Sequence, residues 1–297
     1  MSKTIRLIYP QWQGGVISNW IPELSEEDSS KGYFLGAQLL NMLASKNASQ
    51  ETFEVPISMD ISKREIKNGI MDYDFILNQS KEALKILEKN NPDKIIVFGG
   101  ECFVSVIPFT FLNKKYNNDI AIIWIDAHPD ITLPNDSYAG YHAMALTACI
   151  GEGDKNIMSA LPSKIDASKI LLVGIRDWER EEIKLRQQKY GIKHLTPEEV
   201  SKNSDLIIKW LKECGASKVL IHFDLDVLEP KELIAAVGVV ENGMKIKEVI
   251  RVINDIAKEK EIVGLTIAEH MPRVEIMIKN ILDALPLIKW NKNHFKQ

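Results

Sequence analysis

The chain has 297 residues, 45% hydrophobic and 26% charged, enough material for one large core or two modest domains. A formal net charge of -4, with no Lys/Arg block forming a phosphate-binding stripe, argues against a nucleic-acid surface. No run approaches the ~20 continuous apolar residues of a membrane helix, and the N-terminus runs into a strand pattern instead of a secretory leader. Cys102, Cys149 and Cys214 show neither disulfide nor zinc-ribbon spacing, so a soluble cytoplasmic protein is expected.

Short β-branched runs alternate with helical patterns along the whole length, the signature of βαβ units on a mainly parallel sheet. In chain order, a strand at 5–9 leads to a helix over 32–44, where Trp12, Trp20, Phe34 and the pair Leu39 and Leu40 are expected to pack together. A strand at 53–57, a helix over 80–88 and strands at 94–98 and 122–125 follow. A helix over 141–150 precedes a strand at 170–174, a helix over 178–187 and a strand at 191–194. The next helix, 196–213, opens on Thr196-Pro197-Glu198-Glu199, with a capping hydroxyl, proline at the first helical position and an acid to close the box. A strand at 219–223, a helix over 245–257, a strand at 262–267 and a helix over 274–285 complete the pattern. The count is about eight strands. No linker or repeat divides them, so residues 1–297 read as a single α/β domain whose ligands collect at the carboxyl ends of the strands.

Two of those ends carry unusual chemistry. The apolar run 121–125 delivers Asp126, His128 and Asp130, whose two-residue spacing points all three side chains one way if the backbone stays extended. The run 218–221 leads likewise into His222, Asp224 and Asp226. Taken singly, the first cluster also suits an Asx-turn with a hydrogen-bonded histidine, and the second suits solvated loop acids. Taken together, carboxylates crowded at the ends of buried strands would repel one another and lose hydration unless cations compensated them. A carboxylate bridging two divalent ions would hold a water that becomes a hydroxide nucleophile near neutral pH. Oxygen ligands with imidazole favour Mn²⁺.

Gly99-Gly100-Glu101-Cys102, Asp126-Ala127-His128-Pro129-Asp130, Phe223-Asp224-Leu225-Asp226-Val227-Leu228-Glu229-Pro230 and Ala268-Glu269 arrive in an order that resembles the ureohydrolases, the arginase and agmatinase family of binuclear manganese enzymes. The resemblance covers nearly the whole chain. It implies a three-layer α/β/α fold, assembly into trimers or hexamers, and release of urea from a guanidino compound. It also implies that Asp126 and Asp224 bridge the ions, that Asp130 serves the first metal, and that His128 and Asp226 serve the second. Glu269 matches the acid that orients the guanidinium, and His142 the histidine credited with proton transfer. Glu179 matches a pocket-edge position near a basic substrate tail, although it and Asp177 also suit helix-start acids.

The departures matter as much. Cys102 stands where the family has a histidine ligand of the first metal. A thiolate there shifts preference toward Zn²⁺ or Fe²⁺, and a small buried side chain at a helix start is the alternative. His222 offers an approach to the first metal from below, against the alternative of a buried histidine bonded to a neighbour. Thr132 and Tyr138 replace the residues that hold the amino-acid end of arginine, so another small substrate is expected. The run 231–237 replaces a threonine- and glycine-rich loop. The first expectation is therefore a metal-dependent hydrolase of a guanidino or related C–N compound, with two divalent ions as cofactors. The alternative is a catalytically weak family member acting through binding or assembly.

Overall fold

A computed structural model describes residues 2–286. β1 (Thr4–Tyr9) and β2 (Glu51–Glu54) are followed by a small antiparallel hairpin of β3 (Ile66–Lys67) and β4 (Ile70–Met71). Then come β5 (Lys94–Gly99), β6 (Ile120–Ile125), β7 (Ile170–Val173), β8 (Lys193–Leu195), β9 (Lys218–Asp224) and β10 (Glu261–Ala268). The strands outside the hairpin form one eight-stranded sheet in the order β2-β1-β5-β10-β9-β6-β7-β8. Every neighbouring pair in it is parallel.

The cause is visible in β6, Ile-Ala-Ile-Ile-Trp-Ile, in which every residue is buried. A strand apolar on both faces needs cover on both, as parallel sheets have. Ile120, Ile122 and Trp124 enter the core on one side, whereas Ala121, Ile123 and Ile125 enter the core on the other. Helices pack over each face, so the architecture is three-layer α/β/α. All eight expected sheet strands are present, with ends shifted by a few residues.

The helices differ more. The expected helix 80–88 extends over Tyr73–Asn90, because Gln79 faces inward yet is bonded to Gln11 and Ser58. A buried polar residue inside an apolar stripe hides a helix from its hydrophobic pattern. The capping box at Thr196 and Glu199 forms as expected, but the helix it opens ends at Val200 and a second one runs over Asp205–Glu213. Ser201 donates to the Glu198 carbonyl and Asn203 accepts from the Asp205 N–H, satisfying locally what a continuous helix would have satisfied. The expected helix 178–187 starts at Glu181, because Glu179 takes a left-handed φ of 58°. Asp177 and Glu179 are therefore loop residues and not helix-start acids. The helix Val106–Lys115 was not expected: it is buried nearly all round and lacks an amphipathic stripe. Trp20 does not pack with Trp12 and is 68% exposed.

Candidate metal centre

The four central strands β5, β10, β9 and β6 are neighbours in the sheet, and each leads at its carboxyl end into residues of one cluster. β5 leads to Glu101 and Cys102, β10 to Glu269, β9 to Asp224 and Asp226, and β6 to Asp126, His128 and Asp130. Beyond Asp126 the backbone turns: Asp126 Oδ1 accepts from the His128 N–H at 2.6 Å and Asp130 adopts a φ of 48°. Glu269 is held at φ 67°, with its N–H donating to the Gly100 carbonyl at 2.7 Å. Left-handed backbone at non-glycine residues costs of order 1 kcal/mol and collects where the surroundings enforce a functional geometry.

Two groups of ligand atoms share Asp126. In the first, one atom each from Cys102, Asp126, Asp130 and His222 lie within 4.8 Å of one another; in the second, the same holds for Asp126, His128 and Asp226. Asp224 sits beside both, taking the Cys102 thiol on Oδ2 at 2.9 Å and the Asp226 N–H on Oδ1 at 2.7 Å. His128 Nδ1 lies 2.9 Å from Asp226 Oδ2. Asp130 Oδ2 and His222 Nε2 are buried with no hydrogen-bond partner. Orphaned donor atoms within a set of carboxylate, imidazole and thiol groups fit a pair of divalent ions.

The electrostatics point the same way. Burial, aided by the neighbouring Asp226, pushes Asp126 up to about 6. Burial likewise holds Asp130 and Asp224 well above the usual carboxylate range, with Asp126 next to the former and Asp226 next to the latter adding to it. Burial raises the Cys102 thiol too, so the sulfur keeps its proton and donates to Asp224. Asp226 is the exception: burial pushes it up, but the His128 charge outweighs that and brings it to about 2. Burial opposes a charged His128, yet Asp226 holds it well above its ordinary value.

A cavity of about 880 Å³ opens over this cluster, lined by Cys102, His128, Asp130, Asp224, Asp226 and Glu269. Thr132, Tyr138, His142 and Glu179 line the same cavity, whereas Asp126 and His222 lie buried outside its lining. Trp20 and Val237 stand at its wall. Glu269 Oε1 accepts from the Cys102 N–H at 3.2 Å and lies 3.5 Å from His142 Nδ1. Tyr138 Oη lies 2.8 Å from His142 Nε2. Burial works against a charged His142, but the Tyr138 hydroxyl and Glu269 carboxylate beside it raise it well above its usual value. Thr132 is 3% exposed and its hydroxyl donates to the Ala143 carbonyl at 2.9 Å. His270 lies outside the cavity lining, with Nδ1 3.2 Å from the Ala235 carbonyl. Just past the altered loop 231–237, Gly238 approaches closely: a Cβ there would lie 2.8 Å from Asp226 Oδ2.

Two contributors were missed in the sequence. Trp124 donates Nε1–H to Asp126 Oδ2 at 2.9 Å, and its position two residues before Asp126 on the same face was the available signal. Ser105 lies 2.8 Å from His222 Nδ1, and nothing local to Ser105 announces that contact.

These shifts set a pH dependence. Asp126, at about 6, and Glu101, which burial raises to about 7, bind their protons more tightly folded than unfolded. Their stabilisation is complete below the unfolded carboxylate value and is lost as pH rises through 6 and 7. Asp130, Asp224 and His128, all raised, carry the same sign. Chelator-treated protein is therefore expected to melt at a higher temperature at pH 6 than at pH 8. Divalent ions need the deprotonated ligands, so the rise in Tm on adding Mn²⁺ should be larger at pH 8. Differential scanning fluorimetry at both pH values decides; a chelated protein more stable at pH 8 contradicts the crowded-carboxylate reading.

Comparison with known proteins agrees with this geometry. The family model described as "Arginase family" matches residues 40–282. An arginase from Staphylococcus aureus (strain MRSA252) is 26% identical over 229 residues, covering 73% of this chain and 74% of that protein. Among solved structures, the Entamoeba histolytica arginase in complex with L-ornithine superposes with a TM-score of 0.73 at 21% identity, covering 95% of this chain and 96% of the other. The Bacillus caldovelox arginase does so with a TM-score of 0.72 at 20% identity, covering 97% and 100%.

Proposed function

The chain belongs to the arginase family, and from that premise we propose that it hydrolyses a guanidino compound, releasing urea and an amine. The observation that carries this reading is Glu269, a carboxylate on the cavity wall that gathers with Cys102 and His142 next to the two groups of ligand atoms sharing Asp126. Asp126, His128, Asp130, Asp224, Asp226 and Cys102 would hold two divalent ions, Mn²⁺ suiting the oxygen and imidazole donors and Zn²⁺ or Fe²⁺ the sulfur, and such ions would make water acidic enough to serve as a nucleophile near neutral pH.

The protein's own residues do the rest. Glu269 pairs with the planar guanidinium and fixes its carbon toward the ligand cluster, so that orientation is gained on binding. His142, 3.5 Å from Glu269 and backed by Tyr138, holds a proton at the place where an amine must leave. Asp177 and Glu179, on the loop before the helix Glu181–Tyr190, face the same cavity and suit a cationic substrate tail. A small-molecule substrate, self-assembly into trimers or hexamers and a cytoplasmic location belong to the same proposal.

L-arginine is disfavoured by the positions facing its amino-acid end. The Thr132 hydroxyl is committed to the Ala143 carbonyl, and the Tyr138 phenol to His142. Metal-loaded protein is expected to release urea from agmatine or a small guanidino acid faster than from L-arginine, measured by colorimetric urea assay across a guanidino panel. Silence across the whole panel would favour a binding or assembly role.

A further inference from the structure

We propose that His222 is a ligand of the first metal site, its Nε2 supplying from inside the sheet the imidazole that position 102 lacks. The inference rests on the metal-dependent reading above and deepens it. His222 is wholly buried in β9, two residues before Asp224 and on the same face. Its Nδ1 is engaged by Ser105 Oγ at 2.8 Å. Its ring stacks on Trp124, with centroids 3.6 Å apart and 14° between the planes. Parallel pairing of β6 and β9 puts those two residues opposite each other, so the ring has little freedom to turn.

What remains is Nε2, buried and without a partner. A buried polar atom left unpaired costs about 1–3 kcal/mol, so a side chain that served only to fill the core would be poorly placed here. The partner is implied by the neighbours. Ligand atoms of Cys102, Asp126, Asp130 and His222 lie within 4.8 Å of one another, and Asp130 Oδ2 is orphaned as well. Four ligands set tetrahedrally around one ion at ~2.0–2.3 Å lie about 3.3–3.8 Å from one another, so contraction by about 1 Å would bring all four onto it.

The surroundings suit that role. Coordination through Nε2 requires the ring proton on Nδ1, where Ser105 Oγ is positioned to accept it. Trp124 ties the ring to the shared ligand, because the indole that stacks on His222 also donates to Asp126. Imidazole and sulfur together make the first site softer than the Asp126, His128 and Asp226 site, favouring Zn²⁺ or Fe²⁺ over Mn²⁺ in it.

The test counts ions and imidazoles. Zn²⁺-loaded protein, freed of excess metal by gel filtration, is analysed for metal content and by X-ray absorption fine structure at the zinc edge. The expected result is two ions and two coordinated imidazoles per chain, His128 and His222, and the same two in His142→Ala, which removes the other nearby histidine. Two ions with only one imidazole in H142A would overturn the inference while leaving the metal-dependent function standing. A protein that retains no ion would overturn both. His222→Ala is expected to keep one of the two ions; retention of both would also overturn the inference. Should loss of the buried ring prevent folding, the imidazole count in the H142A protein decides by itself.

Discussion

Replacing Glu269 with glutamine is expected to lower turnover by at least about 100-fold while leaving the metal content unchanged. The side chain keeps its shape and an acceptor oxygen, so the Cys102 N–H retains its partner. What is lost is the charge that pairs with a guanidinium and the second equivalent oxygen of a bidentate contact. Misorientation of the reacting carbon should appear chiefly in kcat, with KM rising less, because the cavity wall and the mouth acids Asp177 and Glu179 are untouched. Steady-state urea release from the best substrate, with elemental analysis of the same preparation, makes the measurement. An E269Q protein as active as the parent would remove Glu269 from the mechanism.

Asp126→Ala is expected to abolish binding at both metal sites and reduce activity to background, a larger loss than removing a ligand of one site alone would produce. Asp126 alone contributes an atom to both groups, with Cys102, Asp130 and His222 on one side and His128 and Asp226 on the other. Removing a partner that only supports a ligand typically weakens metal binding by ~10–100-fold, so loss of a ligand shared by two ions should exceed that. Asp130→Ala, by contrast, should empty the first site and spare the second. Elemental analysis after gel filtration separates the outcomes, and two ions retained by D126A would refute a shared role. The metal-free variant should remain folded: it frees the Trp124 N–H and the His128 N–H, yet also removes one of several crowded buried carboxylates.

The clusters were legible because their signals are local. Asp126, His128 and Asp130 follow one buried run, Asp224 and Asp226 another, and a parallel strand apolar along most of its length gathers its chemistry toward its carboxyl end. Cys102, His142, Tyr138, Thr132 and Glu179 entered through resemblance to a family, and the fold brings them to the same cavity. The helices were read less well where polar side chains take part in packing, as Gln79 does, or where short polar residues close a helix early, as Ser201 and Asn203 do. Trp20 was misjudged because aromatic character alone does not say which side of a loop faces solvent.

The sequence by itself determined the alternation of strands and helices, the ends at which acids and histidines gather, and a composition able to bury both faces of a sheet. Each of these follows from periodicity within a few residues, which the backbone translates directly into facing and exposure. Only the tertiary structure decided that β5, β10, β9 and β6 lie side by side, since that order depends on pairing between segments far apart in the chain. It also decided that the Cys102 thiol meets Asp224, 122 residues away, and that His222 is stacked on Trp124 with Nε2 left free. Such contacts exist only once the sheet register is set, because a one-residue slip would turn every one of these side chains to the opposite face.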